Sequence, residues 1–213
     1  MKVIPREAKR ITYSTEIRTL KYEAFTEIQR ALVRGCLLGD GCLIQNWSAT
    51  NYRMSINHSA RQKEYIDWKY ALLQPFVRTP PRLYKPTNAY RIQTVSHSEL
   101  SAMRRIWYPD GSKIIPVNIK DVLRSRLTVA TWFMDDGNIR KSQGRVYGYY
   151  LNTQSFSRIE NEQLAEILGD IIGGKVLVLG NHGYYRLYIG ADRERFKNYI
   201  QEHVIPSMQY KLG

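Results

Sequence analysis

VRGCLLGDG, Val33 to Gly41, and VATWFMDDG, Val129 to Gly137, share one ending: an apolar run with small residues that closes on Asp-Gly. Setting Asp40 against Asp136 brings the flanks into register, the mark of a duplicated unit. After the first run comes the hairpin-like LIQNWSATNYRMSIN, ending at Asn57; after the second comes NIRKSQGRVYGYYLN, ending at Asn152. Each asparagine precedes a polar trio and a helical pattern. Tyr65, Trp68, Leu72 and Phe76 carry the apolar stripe in the first half, and Ile159, Leu164, Ile167, Leu168 and Ile171 in the second. A second hairpin follows in each half, turning at Pro86 to Ala89 and at Asn181-His182-Gly183. Both halves then run through a short helix to a proline and a lysine, Lys113 in YPDGSKIIP and Lys211 in IPSMQYKL. One shared Asp-Gly would be noise, because such turns are common. The shared order of acid, hairpin, asparagine, helix, hairpin, proline and lysine is not. It implies two α/β units related by a pseudo-twofold axis and joined near Ile119 to Ser125.

The chain of 213 residues is 43% hydrophobic, enough to build a core in one large domain or two small ones. Its net charge of +13 comes from basic residues spread from Lys2 to Lys211, alongside 16 tyrosines. That combination implies a folded surface facing a polyanion, with nucleic acid as the leading partner. Cys36 and Cys42 lie in an apolar run and make neither a zinc set nor a disulfide framework. They read as buried free thiols in a reducing, intracellular compartment. No apolar stretch reaches the roughly 18 residues of a membrane span, so no membrane partner is expected. The basic start lacks the apolar core of a secretory signal and reads as a mobile arm as far as about Ser14. His58, His97, His182 and His203 lack metal-ligand spacing and read as surface or turn residues. GDIIGGK lacks the spacing of a phosphate-cradling loop, and no nucleophile elbow is present.

Neighbouring side chains diverge by about 100° on a helix, so Asp135 and Asp136 are not expected to serve one site equally. An ionised aspartate at a helix C-terminus is electrostatically unfavourable, yet the chain places one there twice. If the two apolar helices pack about the pseudo-dyad, Asp40 and Asp136 converge. Carboxylates so close repel and raise each other's pKa, and a divalent cation removes that penalty. Hard oxygen ligands suit Mg²⁺, with Mn²⁺ as a substitute. Gly35 and Gly39 in the first run, and Ala130 and Thr131 in the second, are small enough to let the helices approach closely. Either run alone would read as a core helix with an Asp-Gly turn; the pair outweighs that reading.

The two runs resemble the paired nine-residue motifs of the LAGLIDADG homing endonucleases, in their single-chain, two-motif branch. The similarity spans about Phe25 to Leu212 and includes YLNTQSF (Tyr150 to Phe156) and IPSMQYKL (Ile205 to Leu212). It implies an α+β fold of two pseudo-symmetric αββαββα repeats, residues 25–120 and 121–213, after a lead-in at residues 1–24. In such a fold, curved antiparallel sheets form a DNA-binding saddle and the motif helices pack at the repeat interface. The family pattern makes the acid before the final glycine the catalytic metal ligand, which assigns Asp40 and Asp136. Asp135 falls at a small-residue position, either supporting the site or solvated. Arg34, Leu38, Thr131 and Met134 depart from the pattern, which touches helix packing rather than the ligands.

The resemblance further implies double-strand cleavage across the minor groove, with short 3′ overhangs, by a functional monomer on an asymmetric duplex of about two helical turns. Lys113 and Lys211 match the family's active-site lysines, which polarise water or offset phosphate charge; the plain alternative is a backbone-phosphate contact. Asn57 and Asn152 match polar positions that place the hydrolytic water; the plain alternative is an amide ending a strand. The first hairpins would lie in the major groove, with Gln45, Asn46, Trp47, Tyr52, Arg53, Arg140, Lys141, Gln143, Arg145 and Tyr147 as candidate readers. Arg82, Lys85, Arg91, Tyr185 and Arg186 on the outer hairpins are further DNA contacts. Strand alternation must send about half of these toward the helices. Two rival readings use the same fold: a maturase bound to intron RNA, and a DNA-binding regulator without cleavage. A regulator has no need of Asp40, Asp136, Lys113 and Lys211, which favours the nuclease over it.

Overall fold

The computed structural model describes residues 14–46, 49–181 and 183–213. The basic arm ahead of Ser14, Trp47 and His182 lie outside them. After a short helix α1 (Thr15–Leu20), the first half runs α2 (Glu27–Leu38), β1 (Cys42–Gln45), β2 (Tyr52–Ser59), α3 (Lys63–Leu72), β3 (Arg82–Tyr84), β4 (Ala89–Gln93) and α4 (Ser98–Trp107). The second half repeats that order as α6 (Arg126–Asp136), β5 (Gly137–Ser142), β6 (Arg145–Leu151), α7 (Arg158–Ile172), β7 (Leu177–Asn181), β8 (Tyr184–Ile189) and α8 (Arg193–Ile200). Between them the expected junction forms a helix of its own, α5 (Ile119–Leu123), which buries Ile119, Val122 and Leu123. Each half therefore carries the αββαββα order. No helix among the described residues is long and apolar enough to cross a membrane.

The hairpins of each half join into a four-stranded antiparallel sheet, ordered β1-β2-β4-β3 in one and β5-β6-β8-β7 in the other. The same swap occurs in both: the later strand of the second hairpin pairs with the later strand of the first. Packing divides the chain into two compact units. One comprises the chain up to Gln29 with Cys42–Arg105, and the other comprises Arg30–Gly41 with Ile106–Gly213. Most of α2 thus packs in the second unit, with α6.

In the first unit, Leu43, Met54, Ile56 and Ile92 face Tyr65, Ile66 and Leu73. The expected stripe on α3 is rotated. The helix ends at Leu72, shortly before Pro75, which lacks a backbone N–H, so Phe76 lies beyond it. Trp68 and Leu72 are only half-buried, while Lys69 is fully buried. Lys69 Nζ lies 2.9 Å from His58 Nε2 and 4.3 Å from the Tyr65 ring centroid. A histidine partner and an aromatic face give that ammonium what burial removes. His58 and His97 are buried rather than exposed; His97 stacks on Phe25 at 4.1 Å and contacts Glu23 O at 2.7 Å.

The second unit is built on Phe133, Tyr149 and Phe196, whose ring centroids lie 5.5–5.7 Å apart. On α7 the buried face carries Leu164, Ala165, Leu168 and Ile172, whereas Ile159 is 77% exposed and leaves the expected stripe. Helix α7 starts sharply because Ser157 Oγ accepts from Glu160 N while Glu160 Oε2 accepts from Ser157 N, a reciprocal capping box.

Candidate active site

The C-terminal ends of α2 and α6 build the site. An idealised side chain on Gly35 would lie 2.6 Å from Thr131 Cβ and 2.7 Å from Thr128 O; one on Gly39 would lie 2.5 Å from Asp135 Cβ. Both glycines therefore admit direct helix contact, as their small size implies. Thr128 Oγ1 adds a bond to Ala31 O at 3.0 Å, and Ala130 is buried on the same helix. Thr128 was not singled out from the sequence, although it precedes Thr131 by one helical turn, the signal that marks a shared face.

The two helices end differently. Helix α2 stops at Leu38, so Asp40 is an exposed residue in the following turn, whereas α6 continues through Asp136, which is half-buried. Asp135 is half-buried and does not simply face solvent: its Oδ2 accepts from the Asp40 backbone N–H at 3.3 Å. Carboxylate oxygens of Asp40 and Asp135 approach within 4.8 Å. Burial, reinforced by the negative charges of Asp40 and Asp135 and opposed by Lys113 and Lys211, pushes the Asp136 carboxyl up to about 7.

Each lysine serves the motif of its own half. Lys113 Nζ donates to Gly39 O at 3.2 Å and to Gly41 O at 3.3 Å. Lys211 Nζ donates to Met134 O at 2.6 Å and to Asp135 O at 3.1 Å. The Met134 and Asp135 carbonyls lie in the last turn of α6 and have no intrahelical donor, while those of Gly39 and Gly41 lie in the turn after α2, so the ammonium groups offset the negative helix ends beside the acids. The asparagines diverge. Asn152 donates through its backbone N–H to Asp136 O at 3.1 Å and through Nδ2 to the same oxygen at 2.7 Å. Asn57 lies on β2 in the other unit, where its Oδ1 accepts from Arg91 Nε at 2.6 Å.

Burial first, and the nearby charges of Asp40 and Asp135 next, make Asp136 hold its proton near neutrality. A hard dication fits the carboxylate oxygens of Asp40 and Asp136.

Strand register sorts the proposed DNA contacts. In the first sheet, Leu43 pairs with Met54 and Gln45 with Tyr52, which puts all four on the core side. Gln45 Nε2 donates to the Tyr52 hydroxyl at 2.9 Å, and Arg104 lies over the Tyr52 ring. The opposite face carries Arg53, Asn57, Arg91 and Arg82, with Arg91 over the Tyr84 ring at 5.3 Å. Arg53 is half-buried there, and its Nε has no hydrogen-bond partner. Asn46 is spent on its own loop, accepting from Thr50 N and Asn51 N. In the second sheet, Tyr149, Leu151, Leu187 and Ile189 face the core, which places Arg140, Tyr150, Arg186 and Tyr188 opposite. Arg186 stacks on Tyr150 at 4.0 Å and Arg140 on Tyr188 at 5.5 Å. Lys141 and Tyr185 alternate to the core side, so neither shares the face of Arg140 and Arg186. Gln143 and Lys85 are exposed in turns, Arg145 is exposed on β6, and Tyr147 lies at the register shift beside it.

Residues 30–196 match the family model described as LAGLIDADG DNA endonuclease family. The chain is 26% identical over 204 residues to a probable intron-encoded endonuclease 1 of Wickerhamomyces canadensis, covering 90% of this chain and 87% of that protein. It is 26% identical over 196 residues, 85% of this chain and 72% of the relative, to a cytochrome b mRNA maturase bI2 of Debaryomyces hansenii. A protein named RecA from Mycobacterium gastri is 25% identical over 97% of this chain, which spans only 52% of that relative. Among solved structures, the homing endonuclease I-WcaI bound to its DNA recognition sequence superposes with a TM-score of 0.82 at 24% identity, covering 100% of this chain and 96% of that one.

Proposed function

The chain belongs to the LAGLIDADG DNA endonuclease family, and from that membership we propose that it is a divalent-cation-dependent, site-specific endonuclease that hydrolyses both strands of a long asymmetric duplex, leaving short 3′ overhangs. The observation that carries this reading is the meeting of α2 and α6 through Gly35 and Gly39, which gathers three aspartates and two lysines at two helix ends. Both acids come from one chain, so it acts as a monomer.

Asp40 and Asp136 would hold the cation, Mg²⁺ or Mn²⁺, through their carboxylate oxygens. When bound, the cation supplies Lewis-acid stabilisation of charge on the phosphate and makes a nearby water more acidic. Asp136 gives up its proton to form the site. Lys113 and Lys211, fixed on the helix-end carbonyls, present positive charge where the phosphorane-like transition state gathers negative charge. Asn152 holds the Asp136 backbone through two bonds and so keeps that carboxylate in place. Arg53, Arg82, Arg91, Arg140 and Arg186 face the duplex from the two sheets and divide between base edges and phosphates.

The test is Mg²⁺-dependent cutting of a randomised duplex library, with the bound fraction recovered from the same tube. Asp40→Asn and Asp136→Asn should each lower double-strand cleavage by a factor of about 10³ or more while binding persists. A mutant that cut both strands at the wild-type rate would remove these residues from the metal site. The relative called a maturase supports a second reading, tight binding to a structured intron RNA, which the same protein can be tested for by filter binding.

A further inference from the structure

We propose that Asp135 is a positioning residue that fixes Asp40 from the opposite motif helix. The inference rests on the nuclease reading for its consequence and on the helix ends for its geometry. In a continued α2 helix the Asp40 N–H would bond to Cys36 O, four residues back. Instead Gly41 N takes that carbonyl at 2.7 Å, while Gly39 N keeps its helical bond to Gly35 O at 3.1 Å. The Asp40 N–H is thereby diverted sideways, and Asp135 Oδ2 receives it at 3.3 Å. Room for this comes from Gly39, where an added Cβ would lie 2.5 Å from Asp135 Cβ and 2.8 Å from Oδ2. Gly39 and Asp135 form a lock: the absence of one side chain admits the other. The acceptor is a carboxylate, so the bond is charge-assisted, though at 3.3 Å it is a long one.

The arrangement is one-sided. Helix α6 continues through Asp136, and Gly137 N bonds to Phe133 O in ordinary helical fashion, so no N–H is diverted there. The residue of the first motif that aligns with Asp135 is Gly39, which has no side chain to return the contact. Removing Asp135 should therefore loosen Asp40 without loosening Asp136.

Amide hydrogen exchange on the metal-free, DNA-free full chain tests the geometry, and the Mg²⁺ dependence of cleavage tests the consequence. In Asp135→Ala the Asp40 amide should exchange about tenfold faster or more, and half-maximal cleavage should need about tenfold more Mg²⁺. Asp135→Asn keeps an acceptor oxygen and should stay within about threefold of wild type on both measures. Unchanged Asp40 exchange in Asp135→Ala would overturn the proposal and leave Asp135 as packing. An Asn variant as impaired as Ala in Mg²⁺ dependence, with its Asp40 amide still protected, would also overturn it, making Asp135 a ligand. If the wild type cuts no duplex, the nuclease reading fails while the exchange comparison still decides the role of Asp135.

Discussion

Asp136 is where the site's electrostatics become measurable. Its carboxyl is held at about 7 by burial first and by Asp40 and Asp135 next. A raised folded-state pKa means that the folded protein holds this proton more tightly than the unfolded chain does. The resulting stabilisation is complete below the ordinary carboxylate pKa of about 4 and is lost as pH rises through about 7. In chelator, the melting temperature of the protein should therefore fall between about pH 4 and 7 and level off above that, and Mg²⁺ should flatten that slope. Asp136→Asn should raise the metal-free midpoint at pH 8 by about 2–4 °C, the shift of roughly 1 kcal/mol in a chain of this length. A slope that persists unchanged in Asp136→Asn would assign the titration to another group. The two acids before glycine were legible in the sequence because the duplication exposed them. The direction of Asp135 was not, because it depends on where α2 stops, and a one-residue change in helix termination reassigns a backbone N–H. The burial of Lys69 with His58 was equally hidden, since periodicity treats a lysine as solvent-facing.

Among the elements, the contact of α2 with α6 is the most demanding. Gly35→Ala would place a methyl 2.6 Å from Thr131 Cβ and 2.7 Å from Thr128 O, the second of which is backbone and cannot rotate away. Helix propensity favours alanine by about 1 kcal/mol, and overpacking opposes it by about 1–3 kcal/mol. Packing wins if the helices cannot separate, so the urea midpoint should fall in Gly35→Ala. It should recover in part in Gly35→Ala combined with Thr131→Ser, which removes the opposing methyl while leaving Cβ and the hydroxyl. A Gly35→Ala protein as stable as wild type would show that the two helices are not in tight contact. This small-residue face was readable from spacing alone, as were the hairpins, whereas the pairing of the later strand of one hairpin with the later strand of the other was not. The helical stripes on α3 and α7 were less so. Helix α3 ends before Pro75 and so short of Phe76, and Ile159 stands exposed in the first turn of α7; both lie at helix ends, where periodicity carries the least information.

For the whole molecule, the charge of +13 predicts how binding responds to salt. Composition implies a polyanion partner, but the grouping of Arg30–Gly41 with the second half is not legible in it, because chain order hides which half a motif helix packs in. Arg53, Arg82 and Arg91 on one sheet and Arg140 and Arg186 on the other stand opposite the helix-packed faces. If these and neighbouring lysines neutralise about six to ten phosphates, affinity for duplex DNA should fall by a factor of about 10³–10⁵ between 50 and 200 mM salt. Two arginines separate the roles within that total. Arg91 is tied to Asn57 and Tyr84 and so is oriented in advance, which suits reading a base edge; Arg91→Ala should relax preference at one position and cost about 1–3 kcal/mol on the preferred duplex. Arg82 pairs with Arg91 across the edge strand and is exposed, which suits a phosphate; Arg82→Ala should weaken all duplexes alike and reduce the salt slope by about one. Fluorescence anisotropy on matched duplexes at four salt concentrations measures both. A slope near zero in the wild type would mean that the sheet faces do not meet a polyanion, whatever the net charge.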